Sequence, residues 1–374
     1  PLLIGTAGTC GSDTAVDWML DITLEIARER GEHLKIATMK SGQDRSRVKA
    51  ALDKGRVTAL DGAPAIDGPI VEDCTNIVAL AGIEQIQAAL DTEADIIIAG
   101  RATDTAVIAA LPVARGCHRG AAWHGAKVAE CGALATTNPN SGVILMTFDE
   151  TGFVIEPMAD DAAATPHTVS AHMLYENADP FILHEPGGYL DVSESQYIAL
   201  DERVVRVEGS RWHDTWPYTV KLEAARHVGY QTISMVMVRD RHYRAHIKEW
   251  VAALEASYAR KSAARHLEDV QLEIRIIGHS ATLGALENAA GDRGEAGVMA
   301  IFTSPSQTRS TEAAKLLNPD LLHLPLTPHE PMPTFAFPFS PPEMERGALY
   351  EFCLHHTLTL DDPMSAFWLD TMES

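Results

Sequence analysis

Cysteine is scarce and scattered. The 374 residues hold five, at 10, 74, 117, 131 and 353, with no C-x-x-C pair. An odd count at wide spacing excludes a disulfide framework and a zinc ribbon. Reduced thiols in a cytoplasmic protein are the expectation. Long apolar runs are lacking too: no uninterrupted stretch approaches the ~18 residues of a spanning helix. No signal peptide pattern is present either. Positive charge is in short supply, with 30 Lys and Arg against 52 Asp and Glu and a formal net charge of -22. Nucleic acid and anionic bilayers both require clustered cations, so neither is expected as a partner. An acidic small molecule stays open, because a few local arginines suffice to hold one carboxylate.

The hydrophobic fraction, 46%, is that of an ordinary globular protein. The length exceeds the usual single core, which predicts two domains. No internal repeat divides the chain further. The first half alternates strand and helix. Leu2–Ile4 is a short strand, and a helix follows with Ser12 or Asp13 as its N-cap and Gly31 as its stop. Strands are predicted at 34–39, 56–60 and 95–100, and helices at 44–54 and 83–90. Such alternation implies a parallel sheet covered by helices. ILMTFDETGFVIEP (144–157) reads as a hairpin, Thr165-Pro166 starts a helix running to about 177, and 184–188 is a loop. Strands are expected at 203–208, 218–223, 230–238, 271–278, 298–304 and 350–360, and helices at 242–260 and 308–317.

From 230 onward the order is β-α-β-β-α-β, the split-βαβ, ferredoxin-like order. The fold class is therefore α/β: a mostly parallel sheet with flanking helices in 1–215, then a ferredoxin-like α+β domain in 216–374. Residues 324–342, LPLTPHEPMPTFAFPFSPP, are too apolar for a free linker and are expected to pack as an extended arm.

Four stretches carry candidate chemistry. Gly5-Thr6-Ala7-Gly8-Thr9-Cys10-Gly11 lies between a strand and a helix, where backbone N–H groups can meet an anion. It is neither the dinucleotide fingerprint nor a Walker loop, and no cofactor is expected. Gly8 and Thr9 are the binding candidates there, with a plain tight turn as the alternative. Gly100-Arg101-Ala102-Thr103-Asp104 stands at the carboxyl end of the most hydrophobic strand, the edge where open α/β sheets bind ligands. Arg101 can fork onto a carboxylate. Asp104 is its partner, a cap or a base.

WHGAKVAECGA (123–133) places His124, Lys127 and Cys131 at helical spacing, with Glu130 beside them. Its other residues are small, so these groups are expected to point into a cleft where burial perturbs their titration. Lys127 and Glu130 form the predicted acid–base pair, His124 is an alternative proton shuttle, and Cys131 is a nucleophile or a small core residue. Thr165, His167, Ser170, His172 and Glu176 mark the next helix. His172 and Glu176, four apart, are only two ligands, so no metal site is expected. Lys221 and Glu223 share a strand face, as a solvent-side pair or a second acid–base couple.

GRATDTAVIAALPVARG, AWHGAKVAECGA, TPHTVSAHMLYENADPFILHEPGGYLDV, and RVEGS followed by YTVKLEAARHVGY together resemble the acyclic terpene utilization (AtuA-like) family. The similarity runs from about Leu3 to about Leu358, and is closer to the branch that keeps Phe339-Ser340-Pro341 near its end. The resemblance implies an N-terminal α/β domain and a C-terminal ferredoxin-like domain. It also implies catabolism of acyclic terpenes such as citronellol, whose intermediates travel as CoA thioesters. Relatives carry additional N-terminal sequence with another glycine-rich segment. Here Pro1-Leu2-Leu3-Ile4-Gly5 opens directly on a strand, so a missing N-terminal segment, or one supplied by a second small subunit, is expected.

The chain is thus expected to be a catabolic enzyme, a hydratase, isomerase or lyase. Its substrate is a small carboxylate or acyl-CoA, and its chemistry is acid–base chemistry next to a carbonyl. Lys127, Glu130, Asp104, His124 and Cys131 are the catalytic candidates. Gly8, Thr9, Gly100, Arg101, Thr165, Ser170, Lys221 and Glu223 are the binding candidates. A homo-oligomer is anticipated from the apolar proline-rich arm. Two alternatives stand beside this: an incomplete subunit that binds a small acid and needs a partner chain, and a metal-dependent hydrolase in which His124, His172 and nearby carboxylates converge.

Overall fold

The computed structural model describes residues 1–288 and 294–374. They form two compact units, one made of 1–226 with 352–374 and the other of 227–351. The second unit is therefore inserted in sequence within the first, rather than following it at residue 215. The long strands Thr219–Val238 and Met344–Thr359 each begin in one unit and end in the other.

In the first unit, Leu2–Ile4, Ile96–Ala99 and Lys35–Lys40 form a parallel ladder, with Leu3 opposite Ile97 and Ile36 opposite Ile96. Helix Asp13–Arg30 begins on Ser12, whose side chain accepts from the Ala15 N–H, and ends on a left-handed Gly31. Trp368–Glu373 closes the sheet edge antiparallel to Lys35–Lys40.

The expectation of a mostly parallel sheet is corrected, since the sheets are largely antiparallel. Parallel neighbours need crossovers of a dozen residues or more, and the middle of the chain lacks them. Ile144–Phe148 and Gly152–Pro157 form the expected hairpin, extended antiparallel by Val205–Glu208 and then Gln196–Ala199. Ile182–Glu185 and Gly188–Asp191 also pair as a hairpin, across a two-residue turn in which Gly187 has φ of 78°. The sequence reading treats this segment as a loop.

Helix Arg119–Ala129 is buried along nearly its whole length. Gly120 through Val128 are all buried. Ala122, Trp123 and Ala126 join one hydrophobic cluster and Ala121 and Val128 another, so the helix is covered on opposite sides. A Cβ on Gly125 would stand 2.4 Å from the Phe148 ring. The small residues are therefore a packing requirement.

In the second unit, 230–238 pairs antiparallel with Ala296–Ser304, which pairs antiparallel with Gln271–Ile277. The order across the sheet is Gln271–Ile277, Ala296–Ser304, Thr219–Val238, Met344–Thr359. Helices Ile247–Ala264 and Gln307–His323 supply Trp250, Leu254, Ala313, Leu317 and Leu321 to its core. The apolar arm packs as extended chain. Met237 N–H donates to the Ala336 carbonyl at 2.9 Å, and the Phe335 ring lies 5.0 Å from that of Trp250.

Candidate functional site

Helix Arg119–Ala129 delivers Lys127 at its last turn and ends on Glu130 and Cys131. Lys127 Nζ donates to Glu130 Oε1 and, at 2.7 Å, to the carbonyl of Tyr175. The Lys127 side chain is 4% exposed and that of Glu130 10%. Ions removed from water this far are held by each other or not at all. Burial pushes the Glu130 carboxyl above its ordinary range, against the pull of Lys127, and the charges of Asp104 and Glu176 push the same way. Burial also raises the Cys131 thiol.

The carbonyl that anchors Lys127 belongs to a turn built by the capped helix Pro166–Ala171. Thr165 and Thr168 cap it reciprocally, and it tightens into a 3₁₀ turn over His172–Leu174. His172 is buried, and among the described residues its Nε2 has no hydrogen-bond partner. Burial, with Lys127 adding to it, lowers its titration to about 4. The ring is therefore neutral at pH 7. Ligand atoms of Glu130, Cys131 and His172 lie within 4.8 Å of one another.

A second carboxyl, Glu185, enters from the hairpin at 182–191. Thr105 Oγ1 donates to its Oε1, while Oε2 is out of contact with solvent and has no partner among the described residues. Burial pushes this carboxyl up to about 7, opposed by the Thr105 and Thr103 hydroxyls and further raised by the charge of Glu130. Thr103 also caps helix Asp104–Ala114 through the Ala106 N–H. The segment after the central strand thus both starts a helix and holds Glu185. Asp104 is exposed in the first turn of that helix.

Arg101 emerges from the same strand end. Its backbone N–H is fixed by the Gly11 carbonyl at 3.0 Å and Ser41 Oγ at 2.8 Å. Its Nε donates to Glu223 Oε2 at 2.9 Å, and Lys221 Nζ donates to Glu223 Oε1 at 2.8 Å. The two cations hold the Glu223 carboxyl below its ordinary range despite burial. Arg101 pairs with Glu223, not with Asp104, and Lys221 and Glu223 form the couple expected from their shared strand face.

Five N–H groups of the glycine turn are spent on backbone carbonyls. The N–H groups of Thr6, Ala7, Thr9, Cys10 and Gly11 donate to Gly100, Ala99, Thr6, Gly8 and Ala7 carbonyls. Gly8 and Thr9 have φ of 63° and 67°, which the tight turn explains. Gly100 is wedged between Ser41, Gly11 and Met39, where a Cβ would meet Ser41 Oγ at 2.7 Å.

The structure brings Lys127, Glu130 and Cys131 together with His172 and Tyr175, and Glu185, held by Thr105, feels the charges of Lys127 and Glu130. His124 faces elsewhere. Its Nδ1 lies 2.8 Å from Ser210 Oγ, its Nε2 lies 3.3 Å from the Tyr197 hydroxyl, and burial lowers its titration to about 3. The convergence of His124 with His172 does not occur. Thr165 and Ser170 serve their own helix, Ser170 through the His167 carbonyl at 3.2 Å. Glu185 is the group to which sequence reasoning gives no chemical role, reading Glu185-Pro186-Gly187-Gly188 only as a sharp turn able to close over a pocket. Its one signal is a glutamate placed just before Pro186-Gly187-Gly188.

Two open clefts lie apart from these groups. One is lined by Arg239, His242, Tyr243 and Glu330 in the second unit, the other by Arg47, Lys54, Arg56 and Asp361 in the first. Neither is lined by Lys127 or Glu130. Among the described residues, no helix is long and apolar enough to cross a membrane.

The family model described as "Acyclic terpene utilisation family protein AtuA" matches residues 9–321. No curated protein and no solved structure matches the chain.

Proposed function

The chain belongs to the acyclic terpene utilisation family, and from that premise we propose that it is a catabolic enzyme that moves a proton next to a carbonyl. Its substrate is a small organic acid or acyl-CoA thioester of the branched, terpene-derived kind, and the reaction is a hydration, isomerisation or lyase step. The observation that carries this reading is the buried Lys127–Glu130 ion pair within electrostatic reach of Glu185. A carboxyl that titrates near 7 is matched to proton transfer at neutral pH. Glu185 takes the proton on carbon. Lys127 supplies the positive charge that favours the enolate oxygen as it develops. Glu130 sets the position of that ammonium and relays a proton. Arg101, 25% exposed and steadied by Glu223, offers its remaining N–H groups to a carboxylate or phosphate. The β-α-β-β-α-β order of the second unit and its strand order support reading it as ferredoxin-like.

The test is deuterium exchange from D2O into a panel of branched acyl-CoA thioesters, comparing the full chain with variants. Glu185→Gln is expected to slow exchange by about 10²-fold or more. Lys127→Met alone is expected to cost about 3–5 kcal/mol in stability, because it leaves Glu130 buried without its partner. The double variant Lys127→Met with Glu130→Leu restores the melting temperature and stays inactive. Wild-type exchange rates in the double variant and in Glu185→Gln would sink the reading.

A further inference from the structure

Among the described residues, the three side chains whose metal-ligating atoms converge are a thiol, an imidazole and a carboxylate: Cys131, His172 and Glu130. Two follow one another at the end of helix Arg119–Ala129, and the third comes from the 3₁₀ turn at His172–Leu174. The Lys127-to-Tyr175 hydrogen bond ties those two elements together.

A second observation is independent of that convergence. His172 is 6% exposed, and its Nε2 is buried without a hydrogen-bond partner among the described residues. An imidazole nitrogen taken out of water and left unpaired is costly, unless the position serves a ligand.

The surroundings select the sign of that ligand. The carboxylates of Asp104 and Glu176 act on Glu130, those of Glu130 and Glu176 act on Cys131, and Glu130 acts on Glu185, against the single ammonium of Lys127, which also acts on Cys131 and His172. The balance is acidic and fits a cation. It does not by itself welcome the anionic substrate proposed above, whereas a bound cation would reverse that. Lys127 occupies one Glu130 oxygen, Oε1, leaving Oε2 to coordinate. A mixed sulfur, nitrogen and oxygen set suits zinc over calcium or magnesium. Three protein ligands leave a fourth position open, as in catalytic zinc sites.

We propose that Glu130, Cys131 and His172 bind one divalent ion of the zinc class beside the proposed acid–base groups. The thiol proton leaves to solvent as the sulfur–metal bond forms. Glu130 then acts as a ligand and Glu185 carries the proton transfer. The inference goes beyond the acid–base reading and is read out by metal binding, not turnover.

The experiment uses the full chain, purified reduced and stripped with a chelator. Zn2+ alone is titrated in competition with a chromophoric chelator, and Co2+ is followed by absorption. One equivalent of each is expected, with a thiolate-to-cobalt charge-transfer band. Cys131→Ser is expected to abolish that band. His172→Gln is expected to weaken Zn2+ by more than about tenfold, the loss that even an outer-shell partner can produce. Thermal unfolding of each variant checks that the fold is kept. If Cys131→Ser unfolds, His172→Gln and Glu130→Gln decide. Wild-type protein that takes up no stoichiometric metal overturns the proposal, and so does binding unchanged in the variants. Loss of exchange in Glu185→Gln with metal binding intact would separate the two readings.

Discussion

Glu185 shows how one residue can link stability to chemistry. Its carboxyl is raised from an ordinary 4.5 to about 7 by burial. The folded state therefore holds the proton that the unfolded chain releases. Stability from this group is fully present below about pH 4.5 and is lost as pH rises through about 7, by on the order of 3 kcal/mol. Glu185→Gln keeps the shape and the Thr105 contact and removes the titration. Urea midpoints measured from pH 5 to pH 8 are expected to fall more steeply for the wild type than for Glu185→Gln, with the variant the more stable at pH 8. Parallel curves would show that the carboxyl titrates alike in both states. Such a group was hard to find from sequence. The raised titration comes from burial that only the folded chain creates, against the pull of a Thr105 hydroxyl eighty residues away, and one carboxyl oxygen has no partner among the described residues.

At the scale of elements, helix Arg119–Ala129 explains both what could be read and what could not. Its composition of small residues among reactive ones was visible, and the Lys127–Glu130 pair follows from i,i+3 spacing. Periodicity normally tells which face is buried, but here every face is, so spacing could not tell where His124 points. It lies against Tyr197 and Phe153, in the cluster on one side. Lys127 reaches Tyr175 instead. The parallel strands were legible as β-branched runs between helices. The hairpin at 182–191 was not, because its Pro-Gly-Gly centre outweighs two four-residue strands. The same crowding yields a prediction. A Cβ on Gly120 would stand 2.4 Å from the Ser210 carbonyl oxygen and 2.9 Å from Arg211 Cα, both backbone. Backbone cannot rotate away, so Gly120→Ala must shift the helix. A loss of about 1–3 kcal/mol is expected, despite the better helix propensity of alanine. Guanidinium unfolding decides it, and an unchanged midpoint would mean that the docking is looser than these contacts imply.

At the scale of the molecule, the order of residues in the chain is not the order of the units. The sequence pattern suggests a first domain followed by a second, yet 352–374 returns to the unit formed by 1–226. The return is well anchored. Gln43 Nε2 donates to the Ala366 carbonyl at 2.7 Å and Gln85 Nε2 to that of Pro363 at 2.6 Å. Trp368–Glu373 then pairs residue for residue with Lys35–Lys40. Its last strand seals an edge that would otherwise present unpaired N–H and C=O groups over a buried Ile36-Ala37-Thr38-Met39 core. Ending the chain at Phe367 removes Leu369, which packs against two of the hydrophobic clusters, and reopens that edge. The shortened protein is expected to melt several degrees lower and to aggregate at concentrations where the full chain stays monodisperse. Calorimetry with light scattering measures both. Leu369→Asp in the full chain separates the causes: it removes the apolar contact and keeps the backbone pairing, so it should lower the melting temperature without the aggregation. If the truncated chain melted like the parent and stayed dispersed, the returning strand would be an ornament on the sheet, and the first unit would have to be stable without residues 368–374.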